Sequence, residues 1–214
     1  MNKAIMVLED GRTFSGASFG ADGESFGEIV FNTSMSGYQE ILTDPSYAGQ
    51  MVCMTYPLIG NYGTNTEDVE SRRPWAEGLI VREVSRIASN FRSTASLQDY
   101  LKRNNIIGLE HIDTRALVRH IRDKGAMRSA ISTADLDAES LLKKVLASPP
   151  MENRELASAV TIETKFNYPA MRFSAGAEPA ILISERAYNS GRKSRLATIS
   201  SQQSSRACDV RRFA

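Results

Sequence analysis

The sequence predicts an α/β domain over residues 1–170, with an α+β arrangement as the alternative, followed by a distinct segment over residues 171–214. Three observations support this prediction. Short apolar strands come first along the chain, and helices then alternate with further strands. The hydrophobic content of 42% and the charged content of 24% are ordinary for a globular domain. From residue 171 onward the composition becomes rich in Ser and Arg and shows little apolar periodicity.

Strands dominate the prediction for the amino-terminal half. Residues 4–8 and 13–19 form a hairpin about Asp10-Gly11, because Asp-Gly between apolar runs is a strong tight-turn signal. Short apolar or β-branched runs predict three further strands, over residues 28–31, 50–56 and 78–84.

Two irregular segments separate these strands. One or two helical turns are predicted over residues 37–42, and they end at Asp44-Pro45 because the residue before a proline avoids the α region. Residues 57–65 are rich in Gly and Asn, which predicts a loop.

The clearest helix is predicted over residues 113–124. Asp113 can cap it, Ile112 and Leu117 are spaced as a hydrophobic staple, and Gly125 stops it. The other elements predicted after residue 96 are a strand over residues 128–132 and helices over residues 97–104, 136–147 and 152–160.

The helix over residues 113–124 carries a basic face. Arg115, Arg119 and Arg122 recur at helical spacing on one side of it. This face is either an ordinary solvated surface or a patch that meets an acidic partner.

Charge and cysteine usage exclude several classes of protein. The net charge of +1 gives no overall attraction to nucleic acid or to an anionic membrane. No stretch approaches the roughly 20 apolar residues of a membrane span. The two cysteines, Cys53 and Cys208, provide no disulfide framework and suit a reducing compartment, so a cytoplasmic location is expected.

The residue types that usually perform catalysis are poorly placed in this sequence. Cys53 lies in an apolar strand and is interpreted as structural. His111 and His120 lack further ligands at metal-binding spacing, so no metal site is expected. Gly60-Asn61-Tyr62-Gly63 is too short for a phosphate loop and lacks its lysine, so ATP binding by this chain is not expected.

The most specific segment of the chain runs from Phe31 to Tyr47, where hydroxyl and amide residues alternate with apolar ones and Gly37 and Pro45 punctuate the run. Two interpretations stay open. The polar side chains either satisfy the backbone of a turn-rich connection or present a surface to another protein.

This run resembles the start of the small chain of glutamine-hydrolysing carbamoyl-phosphate synthase, and the resemblance covers roughly residues 1–170. It continues through four shorter segments, which are residues 55–63, 88–92, 99–103 and 112–117. The resemblance implies an amino-terminal domain with layered β/β/α character. It also implies a heterodimer with a large chain that carries ATP and magnesium. The complete small chain would release ammonia from glutamine for carbamoyl phosphate synthesis, in arginine and pyrimidine biosynthesis.

The resemblance assigns one binding residue and no catalytic one. Ser46 matches the serine of an Asp-Pro-Ser-Tyr segment that helps to bind glutamine in the family, although from the sequence alone it could simply close a turn. The family's glutaminase domain presents a cysteine in a Gly-x-Cys-x-Gly turn, with a histidine and a glutamate near the carboxyl terminus. These 214 residues contain no such turn, and no histidine follows Cys208. The chain alone is therefore expected to be inactive, either as part of the enzyme or as a non-enzymatic module that docks on the large chain.

The resemblance ends where the composition changes. Residues 171–214 hold eight basic and three acidic residues. Such a segment buries too little apolar surface to offset the entropy of ordering it. We expect it to be disordered or to arise from a frameshift, with the glutaminase domain absent from this sequence.

Overall fold

The structure is a computed structural model that describes residues 2–152, 154–161, 195–198 and 209–212. These residues form two units, of which the first extends to Arg154 and the second begins at Glu155. The first unit contains nine strands, which are β1 (Lys3–Leu8), β2 (Thr13–Ser18), β3 (Glu24–Asn32), β4 (Gln50–Met54), β5 (Leu58–Ile59), β6 (Gly78–Ile80), β7 (Glu83–Val84), β8 (Ile107–Glu110) and β9 (Met127–Ser132). Its helices are α1 (Tyr38–Thr43), α2 (Leu97–Arg103), α3 (Thr114–Lys124) and α4 (Ala138–Ala147), with a 3-10 helix over Pro45–Tyr47.

Seven strands of the first unit close into a barrel in the order β1-β2-β8-β6-β4-β3-β9. The strands β3, β4, β6 and β8 run parallel to one another, and the other neighbours are antiparallel. The mixed α/β composition predicted from the sequence is thus confirmed. Strand pairing does not itself define β/β/α layers, so that finer description stays a prediction.

Alternation along the strands divides the core into an interior and two outer faces, because successive side chains of a strand point to opposite sides. Met6 and Leu8 of β1 belong to the cluster inside the barrel, which Leu117 and Ile121 of α3 complete. Ile5 and Val7 of the same strand face outward and pack under α4. The outward residues of β4 and β6 pack with those of α1 and α2.

The helix ends agree with the capping signals in the sequence. The side chain of Asp113 accepts a hydrogen bond from the backbone N–H of Ala116 at the start of α3, and Gly125 ends this helix. Ser96 caps α2 in the same way, through the N–H of Asp99.

Four sequence predictions differ from the structure. The strand predicted over residues 78–84 is two strands, because β6 enters the barrel whereas β7 pairs with β5 in a separate sheet. That pairing also places a short strand inside the predicted loop 57–65. The strand β8 was not predicted, and the helix predicted over residues 152–160 is only α5 (Ala157–Val160).

The second unit contains α5 and one strand pair. The strands β10 (Arg195–Thr198) and β11 (Asp209–Arg212) pair antiparallel. The rest of the segment 171–214 lies outside the described residues, so the predictions of disorder or of a frameshift there remain predictions. Within the described part of the chain, no helix has the length and apolar character needed to cross a membrane.

Candidate functional site

Ser46 lies in the 3-10 helix that immediately precedes β4, where that parallel strand begins. The Asp44 carboxylate accepts the backbone N–H of Ser46 at 2.8 Å, which fixes this turn. The Ser46 residue is exposed, and its hydroxyl has no hydrogen-bond partner among the described residues. The turn therefore uses the backbone of Ser46 and leaves its hydroxyl available to a polar ligand.

Other polar side chains of the run 31–47 bind within the protein. Asn32 donates to the Tyr47 hydroxyl at 2.9 Å, which joins the two ends of the run. Gln39 is buried and exchanges two hydrogen bonds with the backbone of Asn65. Thr43 accepts the N–H of Glu70 at 2.9 Å through its hydroxyl. The interpretation that this run satisfies backbone groups is therefore confirmed for Gln39 and Thr43.

A tyrosine pair secures the start of α1. The Tyr62 hydroxyl accepts the backbone N–H groups of Gly37 at 2.5 Å and of Tyr38 at 3.2 Å. The hydroxyl of Tyr38 donates to the carbonyl of Gly63 at 2.6 Å. Burial raises the pKa of Tyr38, and the neighbouring Tyr62 is the second-largest cause of this rise. The Tyr38 phenol therefore stays protonated and donates at neutral pH. Sequence reasoning missed this pair, although Tyr62 lies in one of the segments that carry the resemblance.

One buried carboxylate oxygen lies next to the tyrosine pair. Glu40 Oε2 is buried without a hydrogen-bond partner among the described residues. Its negative charge contributes to raising the pKa of Tyr62, although burial of that phenol is the larger cause. Such unpaired oxygens are uncommon in folded proteins. No sequence signal pointed to this one.

A set of exposed apolar side chains lies near the carboxyl end of β3 and in the segments that follow β4 and β7. The most exposed are Phe91 at 98%, Ile87 at 75% and Met35 at 72%. The set, called here the carboxyl-end apolar surface, consists of Phe31, Met35, Tyr56, Leu58, Ile87 and Phe91. Exposed apolar side chains that adjoin one another mark protein contacts more often than single ones do.

The basic face of α3 borders a cavity of about 440 Å³. The helix begins after the carboxyl end of β8 and contacts β3 and β4. The cavity is lined by Thr55, Thr114, Arg115, Val118, Arg119 and Arg122. All three arginines are exposed, and none of the lining residues that the structure describes is acidic.

The predicted burial of Cys53 is confirmed. Its side chain lies in the barrel interior with no exposed surface, and this burial raises the pKa of the thiol to about 12. A thiol with that pKa is almost entirely protonated at neutral pH and is a poor nucleophile. Cys208 lies outside the described residues.

The two histidines occupy different surroundings. His120 Nε2 lies 2.6 Å from Asp10 Oδ2, and its Nδ1 lies 3.1 Å from Arg12 Nη1. Because Arg12 can only donate, Nδ1 is the acceptor and Nε2–H donates to Asp10. His111 is exposed, with a left-handed backbone (φ 64°). Across the described ranges, no group of three or more His, Cys, Asp or Glu is arranged to hold a metal ion.

The Asp10 carboxylate is held in its charged form by this arrangement. Burial alone would raise its pKa, but hydrogen bonds from the backbone of Arg12 and from His120 outweigh burial and lower it. The contact joins the β1–β2 turn to α3, so it is a structural link between distant segments.

Residues 6–131 match the sequence model of the carbamoyl-phosphate synthase small chain, CPSase domain. Curated relatives agree with this match. The small chain of carbamoyl phosphate synthase from Syntrophotalea carbinolica is 59% identical over 166 residues, which cover 78% of this chain and 44% of the relative.

Two further relatives have the same name. The protein from Maridesulfovibrio salexigens is 57% identical over 162 residues, covering 76% of this chain and 43% of its own. The protein from Thermotoga maritima is 57% identical over 159 residues, which cover 74% of this chain and 41% of the relative. This chain therefore spans less than half the length of the curated relatives that it matches.

Proposed function

Because this chain belongs to the carbamoyl-phosphate synthase small-chain family, we propose that it supplies the part of the small chain that docks on the large chain and contacts glutamine. The complete small chain would release ammonia from glutamine, and the large chain, with its ATP and magnesium, would use that ammonia to make carbamoyl phosphate. Arginine and pyrimidine biosynthesis would consume the product. The chain itself would bring no cofactor and would work in the cytoplasm.

The observation that carries the docking proposal is the carboxyl-end apolar surface. Met35 and Phe91 are more than two-thirds exposed, which leaves much apolar area in water. Buried aromatic side chains supply much of the binding energy in protein interfaces. Of the other members, Phe31 lies near the carboxyl end of β3, Tyr56 and Leu58 follow β4, and Ile87 follows β7.

Titration calorimetry of the chain with the large chain of a close relative tests this proposal. We expect saturable binding, and we expect the double variant M35S/F91S to weaken it at least tenfold. The control is Leu146→Ser, which removes an apolar residue of 52% exposure from α4. Absence of binding, or an equal loss in the control, would contradict the docking proposal.

Ser46 is the residue proposed to bind glutamine. Its exposed hydroxyl, fixed by the turn at Asp44, supports this role. A chimera of residues 1–160 with the carboxyl-terminal part of the Syntrophotalea carbinolica relative would provide a complete small chain. We expect Ser46→Ala to raise its KM for glutamine about 2- to 10-fold, the range for one lost hydrogen bond. Ser36→Ala, at another exposed serine of the same run, is the control. Equal KM values for the parent and S46A would exclude Ser46 from glutamine binding.

The second candidate function is a binding module without glutaminase activity. The specific observation in its favour is Cys53, which is buried with a raised thiol pKa and so is unsuited to nucleophilic attack. We propose that no residue of this chain is catalytic. A glutaminase assay of the 214-residue chain should show no turnover, whereas turnover abolished by a thiol-alkylating reagent would contradict this candidate.

A further inference from the structure

We propose that the cavity beside α3 binds the phosphate group of a small molecule. Neither Ser46 nor any residue of the carboxyl-end apolar surface lines this cavity, and the proposal does not depend on the function proposed above. Three arginines line the cavity, Arg115, Arg119 and Arg122, and the arginine side chain is effectively always charged in proteins.

Two of these three positive charges have no ion-pair partner within the described part of the chain. Arg115 and Arg119 form no ion pair there, and Arg122 approaches only Asp123, with 3.5 Å between Nε and Oδ1. The nearby Asp113 carboxylate is engaged by the N–H of Ala116 at 2.9 Å. Structural arginines of this protein are paired differently: Arg92 contacts both Glu67 and Asp68, and Arg128 contacts Glu9. Arg115 and Arg119 therefore remain available to an external anion.

The shape and the remaining lining residues favour a phosphate on a small molecule. A volume of about 440 Å³ lies within the range of about 300–1,000 Å³ typical of small-molecule sites and exceeds what a free ion needs. Guanidinium groups bind phosphate oxygens in bidentate geometry. Thr55 and Thr114 add hydroxyls that can donate to further oxygens, and Val118 adds an apolar wall for the organic part of the ligand.

Titration calorimetry at constant ionic strength tests this proposal with two probes, inorganic phosphate and ribose 5-phosphate. We expect saturable binding of the sugar phosphate with a Kd in the millimolar range or tighter. The variant R115Q/R119Q should weaken it at least tenfold, and circular dichroism should show an unchanged fold because both side chains are exposed. Lys124→Gln removes a positive charge from the same helix outside the cavity and should leave binding unchanged.

Each other outcome has a defined meaning. Tighter binding of inorganic phosphate than of the sugar phosphate would overturn the assignment to a small molecule and would identify the free ion as the ligand of these arginines. Absence of saturable binding of either probe, or an equal loss in K124Q, would overturn the proposal. Binding of a hexaglutamate peptide without binding of either phosphate would also overturn it, and would indicate a contact for an acidic protein instead.

Discussion

The rings of Tyr38 and Tyr62 stack with their centroids 4.3 Å apart, and each hydroxyl binds the backbone of the other tyrosine's segment. Tyr62 accepts two N–H groups at the start of α1, while Tyr38 donates to the carbonyl of Gly63. The pair thus joins the run 31–47 to the loop that follows β5. This connection holds the start of α1 against that loop.

Removal of the Tyr62 hydroxyl should destabilise the protein. In Tyr62→Phe the N–H groups of Gly37 and Tyr38 lose their acceptor, so we expect the free energy of unfolding to fall by about 1–3 kcal/mol. Urea denaturation measures this change. Tyr100→Phe is the matched control, because Tyr100 is also half-buried and its hydroxyl forms no hydrogen bond with a described residue. An equal effect of both variants would show that the Tyr62 hydroxyl has no special role.

Barrel closure between β2 and β8 should depend on Gly16. A Cβ atom at this position would lie 2.2 Å from the carbonyl oxygen of Glu110 and 2.8 Å from a side-chain carbon of Ile112. Because the first contact is with backbone, we expect Gly16→Ala to destabilise the protein by about 1–3 kcal/mol or more. Thermal denaturation measures this change, and the control is Ser15→Ala, a variant of the exposed residue next to Gly16. A stability for G16A equal to that of S15A would contradict the close packing of these strands.

The stability contributed by Asp135 should depend on pH. Its carboxylate accepts hydrogen bonds from the Ser140 hydroxyl, from Lys144 and from the backbone N–H of Asp137, which together lower its pKa to about 2. The folded protein therefore holds this proton less tightly than the unfolded chain, whose Asp has a pKa of about 3.9. The stabilisation is complete above about pH 4 and is lost as the pH falls toward 2.

We therefore expect Asp135→Asn to lower the Tm at pH 7 and the difference from the parent to shrink between about pH 4 and pH 2. Asp123→Asn, at an exposed carboxylate near the end of α3, should show no comparable pH-dependent difference. A constant difference for D135N across this window would show that ionisation of Asp135 contributes nothing to stability.

Cys53 should resist alkylation in the folded protein. The thiol is fully buried and its pKa is about 12, so both access and thiolate formation are suppressed at pH 8. We expect iodoacetamide to modify Cys53 only after unfolding in urea, as measured by mass spectrometry of the peptide that contains it. Rapid modification without urea would show that the barrel interior opens readily.

The sequence allowed correct prediction of the elements with strong local signals. The hairpin β1–β2 has its Asp-Gly turn, and α3 has the Asp113 cap and the Gly125 stop. The short strand β8 lacks such signals, because Ile107–Glu110 is an apolar run too short to distinguish from a connection between helices. Closure of the barrel depends on pairing between β1 and β9, which lie at opposite ends of the first unit and leave no local trace.

The candidate sites differ in the same way, because one has a local sequence signal and the others depend on contacts between distant segments. Ser46 could be selected because a long specific run surrounds it, and its exposure agrees with a binding role. The cavity beside α3 could not be predicted, since Thr55 and the helix come together only through the packing of α3 against β4. The link between Asp10 and His120 likewise joins residues 110 positions apart.

Hydrogen–deuterium exchange of the chain with and without the large chain tests the central claim most directly, because it maps the contact on the chain itself. The docking proposal predicts slower exchange on binding in residues 33–37 and 85–95, which contain Met35, Ile87 and Phe91, and unchanged exchange in α4. Unchanged exchange throughout the chain, or protection confined to α4, would contradict it.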